Sequence, residues 1–298
     1  MESNNFKPVI SVIIVTYNSG HVISKCIDFL SKDLENKIIE VVIVDNGSTD
    51  DKYLSKYDKT PGISLYKLKN NIGFCAANNF GYNKISKDST YVLFLNPDAF
   101  VTDNLILNLY NFMEKKDSSN IAICSPLLLR YSLKTNQPLE ELDSAGIKKK
   151  WYGRYFDSYR GKKVKELHNF SKEKDLLICG AFMFCRQKSL KESLRNGKVW
   201  DERFFMWKDD IDLSLHLKEK GWDLKVLPNF YAYHCRGWNK KRSDMSSSGI
   251  TLSMKGDWVI HLKRYYQIHT QLIHLTYLTW KSFIVLYELT FRKLLSKN

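Results

Sequence analysis

The chain has 298 residues, 44% hydrophobic and 26% charged, with 14 Gly and 6 Pro. That is room for one large domain or two small ones, and the ordinary apolar share excludes disordered and collagen-like architectures. The net charge of +14 is uneven: −1 over residues 1–129, +6 over 130–174, +1 over 175–235 and +8 over 236–298.

The first half alternates strand and helix. Residues 9–15 form a continuous apolar run that reads as a buried first strand, since it lacks the flanks of a signal peptide. Val22, Ile23, Cys26, Ile27 and Leu30 then recur on one helical face, with Asn18 or Ser19 placed to cap it. A second strand is expected over 41–44, ending in Asp45-Asn46-Gly47-Ser48, and a third over 63–68. A short helix follows over 74–85, then a strand over 91–95 that runs into Asn96-Pro97-Asp98. Another helix (105–115) and another strand (121–129) complete this half. Continuous Val/Ile/Leu strands separated by helices imply an α/β fold with a mainly parallel sheet covered on both faces. Ligands of such sheets bind outside the carboxyl ends of the strands. The polar clusters at 16–18, 45–48, 70–73 and 96–98 all fall there.

Residues 130–174 break the alternation. They are basic and aromatic, carry no clear period and read as an insert or lid. Regular structure returns over 178–185, then in a helix starting near Asp209, and in two short strands over 224–227 and 230–233 that end at His234. Asp209, Asp210 and Asp212 open that helix. Capping accounts for one or two of them. Three, preceded by Phe204-Phe205-Met206-Trp207, point to a carboxylate tuned as a general base at an apolar wall. Asp98 and His234 are candidates to share a hard divalent ion, since a metal that bridges a nucleotide diphosphate needs few protein ligands. Six scattered cysteines include no C-x-x-C pair and read as reduced thiols of a cytosolic protein. No Walker A, G-x-G-x-x-G or G-x-S-x-G segment is present. The longest uncharged tail stretch, 265–280, falls short of a membrane span.

These motifs together resemble family 2 glycosyltransferases of the GT-A fold, and most of all their rhamnosyltransferase branch. The resemblance rests on Val-Ile-Ser-Val-Ile-Ile-Val-Thr-Tyr-Asn (9–18), Val-Asp-Asn-Gly-Ser-Thr-Asp (44–50), Asn-Asn-Ile-Gly-Phe-Cys-Ala-Ala-Asn-Asn-Phe-Gly (70–81) and Leu-Asn-Pro-Asp (95–98). Gly-Ala-Phe-Met (180–183), Trp-Asp-Glu-Arg-Phe-Phe (200–205), Asp-Asp-Ile-Asp-Leu (209–213) and His234-x-x-Gly237 continue it in order, over about residues 9–240.

The resemblance implies a Rossmann-like, mainly parallel sheet flanked by helices, a catalytic domain over 1–240 and a C-terminal helical extension over 241–298. It implies that Thr16, Tyr17 and Asn18 line a nucleotide pocket. Asp45 would accept from the base, and Asn46 and Gly47 would shape the turn. Asn71, Gly73, Phe74 and Asn78 would form the donor wall. Asp98 matches the last carboxylate of an Asp-x-Asp metal site whose first position is Asn96 here, and His234 matches a histidine near the metal, Mg²⁺ or Mn²⁺. Asp210 matches the catalytic base, with Asp209 where relatives carry Glu and His216 where they carry Arg.

The implied activity is inverting transfer of a sugar, L-rhamnose from dTDP-L-rhamnose, to a bacterial surface glycan on a polyprenyl-diphosphate lipid at the cytoplasmic face. A UDP-sugar donor and a non-catalytic nucleotide-sugar-binding protein of the same fold are the alternatives. Nucleic acid is disfavoured as a partner, because charge alone supports it and base-reading motifs are lacking. In the tail, Trp258, Tyr265, Tyr266, Tyr277, Trp280, Phe283, Tyr287 and Phe291 interleave with Lys263, Arg264, Lys281, Arg292 and Lys293. This suits an anionic membrane surface or packing against protein; oligomeric state is open.

Overall fold

The computed structural model describes residues 9–168, 170, 173–236, 246–263 and 268–295, the last without the side chains of 268–271 and 292–295. Gly237, Arg264, Tyr265 and Tyr266 lie outside these residues, as do the side chains of Arg292 and Lys293. In chain order the elements are β1 (Ile10–Thr16), α1 (Ile23–Glu35), β2 (Ile39–Asp45), β3 (Ile63–Lys67), α2 (Phe74–Tyr82), β4 (Tyr91–Leu95), β5 (Ala99–Phe100) and α3 (Leu105–Met113). Then come β6 (Ile121–Ser132), β7 (Gln137–Ser144), β8 (Ile147–Lys149), β9 (Tyr155–Asp157), β10 (Phe182–Arg186), α4 (Gln187–Glu192), α5 (Asp209–Glu219), β11 (Asp223–His234), α6 (Ser247–Lys263) and α7 (Ile268–Leu295).

Nine strands form one sheet in the order β3-β2-β1-β4-β10-β6-β11-β5, with β7 on the side of β6. The first four are parallel. All seven residues of β1 are buried, as expected for a strand covered on both faces. The periodic apolar set of α1 buries Ile23, Cys26, Ile27 and Leu30 against it. β10 runs antiparallel to β4 and β6, and that reversal brings its start, next to Gly180 and Ala181, to the carboxyl end of β4. β11 runs parallel to β6, so His234 arrives at the same end. There it pairs with Ala99 of β5, and Cys235 N–H donates to the Asp98 carbonyl at 2.9 Å.

The sheet is mainly parallel as expected, with β10, β5 and β7 antiparallel to their neighbours. Three expectations change. Residues 130–174 are not an irregular lid: β7 extends the sheet beside β6, and β8 and β9 form a separate hairpin. Its period is hidden because the first four residues of β7 are exposed. The two short strands near 230 are one strand, β11, with a register shift between Leu227 and Tyr231. Pro228 lies within that break, where a missing N–H does least harm. Neither Asn18 nor Ser19 caps α1 with its side chain. The Ser19 carbonyl accepts from Val22 and Ile23 N–H instead, and the Asn18 side-chain oxygen accepts from Thr49.

The tail does not behave as one unit. α6 buries Ile250 and Ile260, and Ile260 joins the core with Val226, Leu213 and Leu217. α7 buries His274, Leu278 and Val285 on one side. Trp258 Nε1 of α6 donates to Ser282 of α7 at 3.1 Å. No helix among the described residues is long and apolar enough to cross a membrane.

Candidate active site

The site is built at the carboxyl ends of β1, β2 and β4. Thr16 and Asp45 end adjacent strands in register. Asp45 accepts from Ser48 at both oxygens, from N–H at 3.1 Å and Oγ at 2.5 Å. Asn46 donates to Asn71 at 3.0 Å and accepts from Ile72 N–H at 2.9 Å, while Asn71 also accepts from Gly73 N–H. These bonds fasten the loop after β3 to the loop after β2. Gly47 is required there: it has φ 76°, and a Cβ would lie 2.5 Å from the Asn70 backbone. Tyr53, which sequence reasoning missed, reaches Thr16 Oγ1 (3.2 Å), Ser48 Oγ (3.0 Å) and Ser19 N–H (3.3 Å) with its single hydroxyl. Tyr17 and Asn18 are exposed at the rim. Asn78 is buried and donates to the Phe74 carbonyl of its own helix.

A cavity of about 780 Å³ opens beside this cluster and brings together Phe74, Asn96, Asp98, Asp209, Asp210 and His234. Thr16, Tyr17, Asn18, Asp45, Asn46, Gly47, Asn71, Gly73 and Asn78 do not line it; they form the neighbouring cluster. His234 Nε2 lies 3.4 Å from Asp98 Oδ1, and its Nδ1 lies 2.8 Å from Asp143 Oδ2. Asp143 in turn meets Arg236 at 2.6 Å, and Arg236 meets Asp157 at 2.6 Å. Burial opposes charge on His234, but Asp98 and Asp143 outweigh it and push its pKa up to about 9. Burial likewise opposes ionisation of Asp143, yet His234 and Arg236 hold its carboxyl well below the usual range.

A divalent cation fits these residues. A histidine that ligates through one nitrogen normally gives its other N–H to a carboxylate, and Asp143 stands at Nδ1 while Nε2 faces Asp98. Two protein ligands leave positions for phosphate oxygens and water. No group of three or more His, Cys, Asp or Glu suited to a metal occurs among the described residues. Asp143 was not legible as a partner, since it sits in the unrecognised β7.

Asp209 and Asp210 open α5 as expected. Asp209 is buried, while Asp210 is half-buried and lines the cavity. Asp210 accepts from Gly180 N–H at 2.9 Å and Ile211 N–H at 2.8 Å. Burial raises both carboxyls. The charge of Asp210 raises Asp209 further, while backbone N–H groups resist the rise at both, those of Gly180 and Ile211 at Asp210. Of the two, Asp210 is the more exposed to the cavity. Asp212 points away, into an ion cluster with Arg195 (2.5 Å) and Lys263 of α6 (2.6 Å), and Lys263 also meets Asp201 at 2.6 Å. Sequence reasoning missed that cluster because its members are 62 and 51 residues apart. His216 faces the Ser193 carbonyl at 2.8 Å and does not line the cavity.

Sheet, strand reversal and cavity together define a GT-A domain. The family model "Glycosyl transferase family 2" matches residues 11–194, and the chain belongs to that family. It is 25% identical to the "Rhamnosyltransferase WbbL" of Escherichia coli over 76% of this chain and 83% of that one. It is 31% identical to the "Poly(ribitol-phosphate) beta-glucosyltransferase" of Bacillus spizizenii over 38% of this chain, where it spans only 18% of the relative. It likewise spans 36% of the "Glycosyltransferase GlyG" of Streptococcus pneumoniae. Among solved structures, S. aureus TarS 1-349 superposes with TM-score 0.52 at 17% identity, covering 89% of this chain and 69% of that one. The mannosyltransferase PcManGT from Pyrobaculum calidifontis, in complex with GDP-Man and Mn²⁺, does so with TM-score 0.59 at 14% identity, covering 92% and 70%.

The buried acidic pair gives a stability signature. The folded pKa of Asp209 is raised, so its contribution is complete below the unfolded value near about 3.9 and is lost as pH rises through the folded value. Asp209→Asn removes this loss. Thermal unfolding from about pH 5 to about pH 9 should show the variant gaining on the native chain as pH rises; a constant difference in Tm would contradict the assignment.

Proposed function

We propose that this chain is a metal-assisted, inverting glycosyltransferase that moves a sugar from a nucleotide donor to a hydroxyl of a bacterial surface glycan. One observation carries the reading: a cation-fitting Asp98–His234 pair and a base-competent Asp210 share one cavity beside the polar loops of β1 and β2. In this reading Asp98 and His234 hold Mg²⁺ or Mn²⁺, with Asn96 beside them. That ion supplies charge neutralisation to the departing diphosphate. Thr16, Tyr17, Asn18, Asp45, Asn46 and Gly47 bind the nucleoside, and Asn71, Gly73, Phe74 and Asn78 form or support the donor wall. Asp210 takes the proton from the attacking acceptor hydroxyl, and one displacement with one base inverts the anomeric centre.

The match along most of the chain to a relative named a rhamnosyltransferase supports dTDP-L-rhamnose as donor. A UDP-sugar is the second reading, favoured by the 31% match to a poly(ribitol-phosphate) beta-glucosyltransferase and by TarS 1-349 having been solved in complex with UDP. The acceptor fits a polyprenyl-diphosphate-linked glycan at the cytoplasmic face of a membrane. α7 supports that placement, because its outer side exposes Trp280 (62%), Phe283 (68%) and Tyr287 (74%), flanked by Leu272, Leu286 and Phe291. An apolar helix face on a tail with a net charge of +8 has the composition of an interfacial anchor on anionic lipid.

Asp210→Asn should lower kcat by about 10²–10⁴-fold while nucleotide affinity, read by calorimetry, stays unchanged; full turnover by the variant would remove Asp210 as the base. Replacing Trp280, Phe283 and Tyr287 together by Ser should abolish co-sedimentation with phosphatidylglycerol vesicles at an unaltered Tm. Equal sedimentation of variant and native chain would reject the anchor.

A further inference from the structure

The β8–β9 hairpin belongs to the cavity. Arg154, Tyr155, Phe156, Asp157 and Arg160 all line it. The hairpin is tied down at both ends. Ile147 exchanges two backbone hydrogen bonds with Leu177, at 2.8 and 2.9 Å. At the turn, Gly153, with φ 96°, lies so close to His274 of α7 that a Cβ would sit 2.2 Å from its ring, and Tyr152 meets Tyr277 at 5.0 Å between ring centres.

Residues 130–174 hold 12 Lys and Arg against 6 Asp and Glu. All six acids are engaged away from Arg154 and Arg160. Glu140 pairs with Lys163, Glu141 with Arg130, Glu166 with Lys162 and Glu173 with Lys148. Asp143 and Asp157 share Arg236. Lys208 and Lys281, which also line the cavity, share Asp257. Arg154 and Arg160 have no carboxylate partner among the described residues, and both side chains are exposed into the cavity. A neutral sugar hydroxyl has no use for two unneutralised guanidinium groups, whereas phosphate oxygens match the guanidinium fork in charge and geometry. Asp157, between the two arginines in sequence, lines the same cavity as Asp210, so the hairpin and the proposed acceptor base share one space. The donor's diphosphate has its own place, at Asp98 and His234.

We infer that Arg154 and Arg160 form a subsite for a phosphate group of an anionic acceptor, which they hold beside Asp210. The inference rests on the glycosyltransferase reading and names the acceptor's chemistry: a phosphodiester or phosphate ester next to the hydroxyl that attacks. A polyol-phosphate chain and a polyprenyl-phosphate headgroup both present those oxygens.

Calorimetry on the full chain tests this without turnover, so failure of the subsite is separable from failure of the transferase reading. The probes are a poly(ribitol phosphate) oligomer, phosphatidylcholine vesicles with and without a polyprenyl diphosphate, and UDP with Mn²⁺. The oligomer should bind, and Arg154→Gln with Arg160→Gln should weaken it about tenfold or more while UDP affinity holds. If only the vesicles carrying polyprenyl diphosphate bind above the plain vesicles, with the same loss in the double variant, the subsite stands and its phosphate belongs to a lipid. Binding of neither probe, unchanged binding in the double variant, or an equal loss of UDP affinity would each overturn it.

Discussion

The hydrogen bond from Gly180 N–H to the Asp210 carboxylate is the constraint on which the site depends. It joins the segment entering β10 to the first turn of α5, and it opposes the rise that burial imposes on the Asp210 carboxyl. A Cβ at position 180 would stand 3.0 Å from that of Asp210, so any larger residue there would push the carboxyl back. The turn before α5 carries a cost: Trp207 and Lys208 have φ of 74° and 69°, a region that costs an L-residue about 1–2 kcal/mol. It is clamped from two sides. Phe74 N–H donates to the Phe205 carbonyl at 2.6 Å, and Gly256 of α6 packs its bare Cα on Trp207 and Lys208. Asp257 adds an ion pair to Lys208 at 3.5 Å.

The tail is thus part of the site's support. Lys263 reaches back to Asp201 and Asp212, two acids from the ordered motifs, and holds both carboxyls low together with Arg195 and Arg203. Losing one partner of such a buried cluster leaves an uncompensated charge, a penalty of about 3–5 kcal/mol. α6 braces the turn before α5. α7 lies against α6 and the β8–β9 turn, and turns its aromatic side outward. One pair of helices thereby links an exposed aromatic face with the wall of the cavity.

Much of this was legible in the sequence because the parallel strands are continuous apolar runs and their carboxyl ends carry unmistakable polar clusters. β4 was expected over the residues it occupies, and α5 begins at Asp209 as expected. Local patterns also marked Asp98, His234 and Asp210. What stayed hidden depends on pairing between distant segments. Asp143 meets His234 across 91 residues, and β7 shows no alternation because half of it faces solvent. The acids that neutralise the insert's lysines reveal nothing in sequence. Only the three-dimensional structure shows that, of the insert's basic residues outside these pairs, Arg154 and Arg160 line the cavity.

The account stands or falls on whether the Asp98–His234 pair and the loops of β1 and β2 act as one metal-nucleotide site. The direct measurement is calorimetric titration of dTDP, UDP and GDP into the full chain, each with and without Mn²⁺. The account predicts that at least one of them binds in the presence of the metal and loses most of its affinity without it. Absence of binding by all three, or binding indifferent to the metal, would contradict it.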